Sequence, residues 1–221
     1  MEEKVLDGMT YFVYYPEGFQ PEKKYPLVIF LHGAGSRGET ADRLKKNFSL
    51  AQIKKRKDER NFIILAPHCK GVTWSEWMTH LLRLVEQFRE LDYVDQTRIH
   101  LTGNSMGGFG TWALATLRPD WFASAMPVAG GGNGFTKRLV DIPIRVYHGL
   151  CDSVVDPVLS FQAAQAVNKA GGHAELYFFP NHDHDIWEEV YNDDKNYDWM
   201  FSFTNIREKT PVKTLSGKYY G

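Results

Sequence analysis

Short, nearly continuous apolar segments recur along the chain, and glycine, proline or polar residues bound each of them. The segments are rich in β-branched and aromatic residues, which is typical of strands buried on both faces of a sheet. A segment near the N-terminus, residues 9–19, alternates more regularly and predicts an antiparallel edge strand. The nearly continuous segments predict strands at residues 26–33, 61–68, 98–103, 122–130, 142–149 and 173–180.

Segments with helical periodicity lie between the predicted strands. Residues 74–91 place apolar side chains at three- and four-residue spacing, which predicts an amphipathic helix. A second helix is predicted at residues 156–172, where Asp156 can cap the N-terminus and Pro157 fits the first helical position. Strands that alternate with helices need crossover connections. The pattern therefore predicts an α/β fold with a mostly parallel central sheet and helices on both faces.

Length and composition are compatible with one folding unit. The chain has 221 residues, of which 43% are hydrophobic, and this is enough for one well-filled core. No internal repeat or interdomain linker is visible. The predicted organisation is a single domain at residues 1–206 and a polar, aperiodic C-terminal tail at residues 207–221.

Charge and cysteine content limit the kinds of partner and compartment. The 26 Lys and Arg residues nearly balance the 27 Asp and Glu residues, so no field of one sign points to nucleic acid or to an anionic membrane. No apolar run reaches the roughly 18 residues that a membrane span needs, and the N-terminus does not resemble a secretory signal. Two cysteines fit a reducing compartment. We therefore expect a cytoplasmic protein with no nucleic-acid or membrane partner; the oligomeric state stays open.

One serine lies in a turn that is crowded with glycine. The sequence from Gly103 through Ser105 to Gly107 matches G-x-S-x-G and joins a predicted strand to an apolar helical segment. In such a turn, flanking glycines avoid collisions with the neighbouring strand and helix, and the serine hydroxyl points outward above a helix N-terminus. A phosphate-binding turn is less compatible, because the spacing is neither G-x-G-x-x-G nor that of a P-loop. Ser105 is thus a candidate nucleophile.

A serine nucleophile needs a base and an orienting carboxylate, and both follow later strands. Asp152 follows the strand predicted at residues 142–149 and is the candidate acid, whereas helix capping gives Asp156 a sufficient structural role. The last predicted strand leads into a segment with two histidines. From the residues alone, either His182 or His184 can be the base.

The loop after the first parallel strand, residues 31–38, can complete the site. Its glycines allow backbone N–H groups to approach a substrate oxygen closely. The N–H of Met106, which follows the nucleophile, is one expected oxyanion donor. Ala34 is the best candidate for the second donor, with Gly33 and Gly35 as alternatives.

Four segments give the chain a family resemblance: residues 23–38 (KKYPLVIFLHGAGSRG), FIILAPHC followed by Trp74, residues 93–132, and IPIRVYHGLCDSVVDP with HDIWEEVYND. They resemble the α/β-hydrolase fold, and within it small serine esterases akin to feruloyl and acetyl-xylan esterases, phospholipase/carboxylesterases and dienelactone hydrolases. The most specific segment is residues 93–132, with its VDxxRI lead-in, the elbow and Pro-Asp-x-Phe-Ala. Together the segments cover most of residues 23–193.

The resemblance favours His184 as the base, because these esterases place Trp three residues after that histidine, and then Tyr-x-Asp. Here Trp187, Tyr191 and Asp193 fit. Two departures stand out. Asp183 precedes the histidine where glycine is usual, and Ser36 stands where glutamate is common.

The implied activity is hydrolysis of small acyl or aryl esters through an acyl-enzyme, without metal or organic cofactor, in a domain without a separate cap. Carbohydrate acetyl or feruloyl esters suit the family, but acyl and alcohol specificity are not readable from the sequence. A peptidase or thioesterase on the same fold, or a non-catalytic binding module, are the alternatives. The expected substrate walls are Trp74, Asn104, Leu150 and Trp187; Trp77 and Phe109 are also apolar candidates but are expected to pack in the core.

Overall fold

The computed structural model describes residues 1–205, so the predicted tail at residues 207–221 lies outside the described residues. The strands are β1 (Glu2–Leu6), β2 (Met9–Tyr14), β3 (Tyr25–Leu31), β4 (Ile63–Pro67), β5 (Val94–Asn104), β6 (Ser124–Val128), β7 (Ile144–Gly149) and β8 (Ala174–Phe179). The α-helices are α1 (Asp42–Lys45), α2 (Phe48–Arg60), α3 (Met78–Arg89), α4 (Met106–Leu117), α5 (Val158–Lys169), α6 (Trp187–Asn192) and α7 (Asp194–Phe201).

The strands form one eight-stranded sheet in the order β1-β2-β4-β3-β5-β6-β7-β8. From β4 to β8 every pairing is parallel, while β2 is antiparallel to both of its neighbours. The six strands predicted from apolar segments are confirmed. The predicted edge strand at residues 9–19 is antiparallel but is not the edge, because β1 pairs outside it. The largely exposed β1 has no apolar face to mark it in the sequence.

Helices cover both faces of the sheet, as the sequence predicts. Alternate residues of β3 illustrate this arrangement: Leu27 and Ile29 join the cluster that packs against α3, α4 and α5, whereas Val28 and Phe30 join the cluster that packs against α2, α6 and α7. The two-sided burial explains why the parallel strands are almost continuously apolar.

Two helices begin later than the sequence predicts. The helix expected from residue 74 begins at Met78, because Trp74 is buried in the preceding turn, where its indole N–H donates to the His32 carbonyl. The helix expected from residue 156 begins at Val158, although Asp156 still performs its predicted capping role by accepting from the Val158 N–H at 2.9 Å.

The parallel strands bring the candidate catalytic loops to one edge of the sheet. Ser105 follows β5, Asp152 follows β7, His184 follows β8, and the loop with Ala34 follows β3. In open parallel sheets this carboxyl edge is where ligands bind. Residues 1–205 contain no separate cap domain over it, and none of their helices is long and apolar enough to cross a membrane.

Candidate active site

Ser105 occupies a strained turn between β5 and α4. Its φ of 54° and ψ of −120° are unfavourable for a residue with a side chain. The conformation is held on both sides, since the Ser105 N–H donates to the Val128 carbonyl at 2.9 Å and the Ser105 carbonyl accepts from the Phe109 N–H at 3.1 Å. The strain projects the hydroxyl away from the sheet, as in a nucleophile elbow.

The glycines around Ser105 are required by close backbone approaches. A Cβ on Gly103 would lie 2.5 Å from the Gly107 carbonyl oxygen, and a Cβ on Gly107 would overlap the Leu31 carbonyl oxygen. A Cβ on Gly108 would lie 2.5 Å from the Val128 carbonyl oxygen. The elbow is therefore wedged between β3 and β6, and only glycine fits at these three positions.

Three side chains that the sequence analysis predicts to be catalytic are joined by a continuous chain of hydrogen bonds. The Ser105 hydroxyl lies 2.8 Å from His184 Nε2, and His184 Nδ1 lies 2.7 Å from Asp152 Oδ2. An ionised carboxylate only accepts, so His184 Nδ1 carries the proton and Nε2 is left to accept the hydroxyl proton. The arrangement is that of a nucleophile, a base and an orienting acid.

The side chain of Asp152 is buried, and the surrounding hydrogen bonds keep it ionised. Burial acts to raise the pKa of Asp152, but hydrogen bonds from the Val155 N–H, from His184 and from the Val154 N–H outweigh it and hold the pKa below the ordinary value. The two backbone N–H groups donate to Oδ1 at 2.8 and 2.9 Å. Oδ2 is thus free to face His184.

A second histidine, which the sequence analysis does not nominate, also reaches the acid. His148 Nε2 lies 3.0 Å from Asp152 Oδ2 and 3.0 Å from the Val155 carbonyl oxygen, both of which only accept, so Nε2 carries a proton. Nδ1 lies 2.7 Å from the Ser160 hydroxyl. Burial lowers the pKa of His148, so the imidazole supports Asp152 as a neutral donor. The spacing of four residues between His148 and Asp152 was the available signal.

Asp183, which replaces the usual glycine before the base, ties the base loop to the acid loop. Its carboxylate accepts from the Ser153 N–H at 2.7 Å, from the Ser153 hydroxyl at 3.0 Å and from the His184 N–H at 2.7 Å. These bonds hold the pKa of Asp183 below its ordinary value. The departure therefore adds a link between the loops that carry Asp152 and His184.

The alternative base is placed elsewhere. His182 Nε2 pairs with Glu189 Oε1 at 3.0 Å on the surface. The structure therefore brings His184, and not His182, to the serine.

The loop after β3 presents the predicted oxyanion donors. A Cβ on Gly33 would lie only 3.5 Å from the Cβ of Ser105, so this loop passes directly beside the serine. Within residues 1–205, neither the Ala34 N–H nor the Met106 N–H donates to another protein group. Ala34 begins a single helical turn and Met106 begins α4, and free N–H groups at a helix start favour negative charge. Their role as oxyanion donors remains a prediction.

A buried histidine fixes this loop. His32 Nε2 accepts from the Cys69 N–H at 3.0 Å, so its proton is on Nδ1, which donates to the Gly33 carbonyl at 2.8 Å. Burial lowers the pKa of His32 to about 4, and the ring stays neutral. The Trp74 indole donates to the His32 carbonyl at 3.0 Å and adds a second support.

The expected substrate walls need two corrections. Trp74 is 1% exposed and packs under the loop after β3, and Asn104 is 5% exposed with its side chain against Gly33; neither offers a wall to a substrate. Leu150 is 49% exposed, and the Trp187 ring stands edge-on to His184 at 5.1 Å, so both remain candidates. The expectation that Phe109 packs in the core is wrong, because it is 39% exposed and lines a cavity of about 200 Å³ beside α4.

Comparisons with known proteins agree with this fold. The model of the prolyl oligopeptidase family matches residues 59–134. A thermostable esterase of known structure is 31% identical, with a TM-score of 0.77 over 89% of this chain and 59% of that one. Dipeptidyl-peptidase 5 from Porphyromonas gingivalis is 24% identical over 82% of this chain and 34% of its own length. A probable feruloyl esterase C from Aspergillus terreus is 28% identical over 57% of this chain and 48% of its own length.

The sheet order, the elbow and these similarities define the class: the chain belongs to the α/β-hydrolase superfamily. Within that superfamily it is similar both to an esterase of known structure and to part of a longer dipeptidyl-peptidase. The chain spans only about a third of the length of the first peptidase relative.

Proposed function

We propose that this protein is a serine carboxylesterase that hydrolyses small acyl or aryl esters. The observation that carries the proposal is the continuous chain of hydrogen bonds from the Ser105 hydroxyl through His184 to the buried carboxylate of Asp152. The N–H groups of Met106 and Ala34 lie beside these three side chains, and neither has a protein acceptor within residues 1–205. The same arrangement supplies each group that acyl transfer needs.

In the proposed mechanism, Ser105 Oγ attacks the ester carbonyl while His184 Nε2 takes the hydroxyl proton. Asp152 stabilises the imidazolium and keeps the ring in the tautomer that leaves Nε2 free. The N–H groups of Met106 and Ala34 bind the oxyanion of the tetrahedral intermediate. His184 then protonates the leaving alcohol, and an acyl-enzyme on Ser105 results.

Water completes the cycle. His184 Nε2 accepts a proton from a water molecule, whose oxygen attacks the acyl-enzyme carbonyl; the returning proton releases Ser105 and the free acid. Every catalytic group in these steps belongs to this chain. Acetyl or feruloyl esters of carbohydrates are the proposed natural class, and the similarity to a thermostable esterase and to a feruloyl esterase supports it. A cytoplasmic location also remains a proposal.

A peptidase is the second candidate, because the prolyl oligopeptidase family matches residues 59–134 and dipeptidyl-peptidase 5 is similar over 82% of the chain. Peptidases and esterases on this fold share one set of catalytic groups, so the site geometry serves either leaving group. A thioesterase would also use it. What differs is the binding of the rest of the substrate.

A matched substrate panel separates these candidates. p-Nitrophenyl acetate, butyrate and octanoate, methyl ferulate and acetyl-thiocholine would be compared with dipeptidyl p-nitroanilides at pH 7.5. We expect kcat/KM for the best ester to exceed that for every anilide by about 100-fold or more, which corresponds to roughly 2.7 kcal/mol. An anilide hydrolysed as fast as the best ester would assign the protein to the peptidases instead.

The link through Asp183 gives a further prediction. Asp183→Ala removes the acceptor for Ser153 and for the His184 N–H, so the base loop can shift relative to the acid. We expect kcat for p-nitrophenyl acetate to fall roughly 3- to 10-fold with little change in KM, because alignment and not binding is lost. Asp185→Ala is the matched control, because it removes the same charge from an exposed residue directly after the base. Equal losses in both variants would show that charge, not the link, matters.

A further inference from the structure

A basic cavity begins at the predicted oxyanion loop. Arg37, Arg43 and Lys70 line a cavity of about 390 Å³ that also includes Ala34 and Glu76. The chain as a whole has a net charge of −1, so this concentration of positive charge does not reflect overall composition. It is a local feature beside the candidate active site.

The positive charge of the cavity is not neutralised by nearby acids. Within residues 1–205, no carboxylate lies within 4.0 Å of the charged groups of Arg37, Arg43 or Lys70. Glu76 is the acid among the lining residues, and its Oε2 accepts from the Val72 N–H at 2.9 Å. Three cations against one acid leave a net positive cavity.

Arg37 is held in place before any ligand binds. Its Nε donates to the Ala34 carbonyl at 3.0 Å, and its Nη1 donates to the Val72 carbonyl at 2.9 Å. These bonds join the loop after β3 to the loop after β4. Within the described part of the chain, Nη2 makes no hydrogen bond, so both of its N–H groups, on a fixed guanidinium, are available to a ligand.

The cavity is close enough to the serine to take part of a bound ester. Gly33 lies beside Ser105, because a Cβ on Gly33 would lie 3.5 Å from the serine Cβ. Ala34 directly follows Gly33 in the chain. Ala34 also lines the cavity. An ester whose carbonyl oxygen is bound at the Ala34 N–H therefore has one of its two sides at the entrance of the basic cavity.

We infer, on the basis of the proposed esterase function, that the preferred substrates are esters that carry a carboxylate, which binds to Arg37, Arg43 and Lys70. Guanidinium and ammonium groups bind carboxylates through charge-assisted hydrogen bonds, and they also raise the rate of encounter with an anion. The carboxylate belongs either to the acyl group, as in a dicarboxylic acid monoester, or to the alcohol.

Two pairs of substrates test the inference and distinguish the two sources. For the acyl side, the p-nitrophenyl monoester of glutaric acid is compared with the p-nitrophenyl ester of its monoamide. For the alcohol side, 4-acetoxybenzoate is compared with 4-acetoxybenzamide. We expect the carboxylate member of one pair to show kcat/KM about tenfold or more above its neutral amide partner, and this ratio to shrink in high salt.

The double variant Arg43→Gln/Lys70→Gln assigns the preference to the cavity. It should lower the carboxylate-to-amide ratio to within about twofold of unity. Lys46→Gln is the control, because Lys46 is exposed, lies near Arg43 in the chain and does not line the cavity. The inference is overturned if the wild type prefers neither carboxylate, if the double variant keeps the preference, or if Lys46→Gln removes it equally.

Failure of the esterase proposal can be distinguished from failure of the cavity assignment. Absence of hydrolysis for all four esters by the folded protein would contradict the proposed function. The same four compounds would then be titrated into Ser105→Ala by calorimetry. Tighter binding of a carboxylate member, abolished by the added Arg43→Gln and Lys70→Gln changes, would still support the cavity; equal binding of both members would overturn it.

Discussion

Ser105→Ala is expected to lower kcat for p-nitrophenyl acetate by roughly 10⁴-fold or more while the protein keeps its thermal stability. The hydroxyl is the atom that attacks in the proposed mechanism, and no other hydroxyl is hydrogen-bonded to His184 within residues 1–205. Removal of Oγ leaves the Cα geometry of the elbow unchanged, so the unfolding transition should remain near that of the wild type. A wild-type-like kcat in the variant would exclude Ser105 as the nucleophile.

The two histidines after β8 provide a matched pair for the same prediction. His184→Ala removes the group that lies 2.8 Å from the serine hydroxyl, and a loss of similar size to that of Ser105→Ala is expected, because the two residues act as a unit. His182→Ala removes only a surface contact with Glu189, and a change below about twofold is expected. The reverse order of effects would identify His182 as the base and contradict the observed geometry.

Most of the fold follows from local patterns in the sequence. The parallel strands are buried on both faces and therefore stand out as apolar segments, and their alternation with helices implies the crossovers. The outer strand β1 could not be predicted, because Glu2, Glu3 and Lys4 give it no apolar periodicity and its pairing with β2 is a tertiary event. The sequence pattern places Trp74 wrongly in the next helix for a related reason: its spacing fits that helix, but its indole N–H donates to the carbonyl of a residue in a loop far away in sequence.

The candidate site likewise contains residues whose role the sequence predicts and residues whose role it does not predict. The elbow glycines, Asp152 and the base could be nominated because strand ends and the order serine, acid, base constrain where they lie. The linking role of Asp183 could not, because it depends on the distance between two loops that only the folded sheet brings together. His148 precedes Asp152 by only four residues, but the sequence alone does not show that its ring faces the carboxylate. The cluster of positive charge beside Ala34 could not be predicted either, because Arg37, Arg43 and Lys70 come from separate segments that no local pattern connects.

Gly107→Ala is the second change with a large expected effect. We expect it to destabilise the protein, whereas a change from glycine to alanine in a helix usually stabilises it. Alanine in place of glycine inside a helix normally stabilises a protein by up to about 1 kcal/mol. At position 107, near the start of α4, the new Cβ would overlap the Leu31 carbonyl oxygen, which belongs to the central strand β3. Backbone on both sides cannot move aside as a side chain can.

We therefore expect Gly107→Ala to lower the free energy of unfolding by about 3 kcal/mol or more, which corresponds to a fall in Tm of roughly 6–12 °C for a chain of this size. Any folded fraction should also lose the proposed esterase activity, because α4 can accommodate the Cβ only by moving the elbow away from β3 and His184. Gly134→Ala is the control, since a Cβ there meets nothing within 4 Å. Unchanged Tm and activity in Gly107→Ala would show that the elbow is not wedged against β3, and the geometry that aims Ser105 at its base would need another cause.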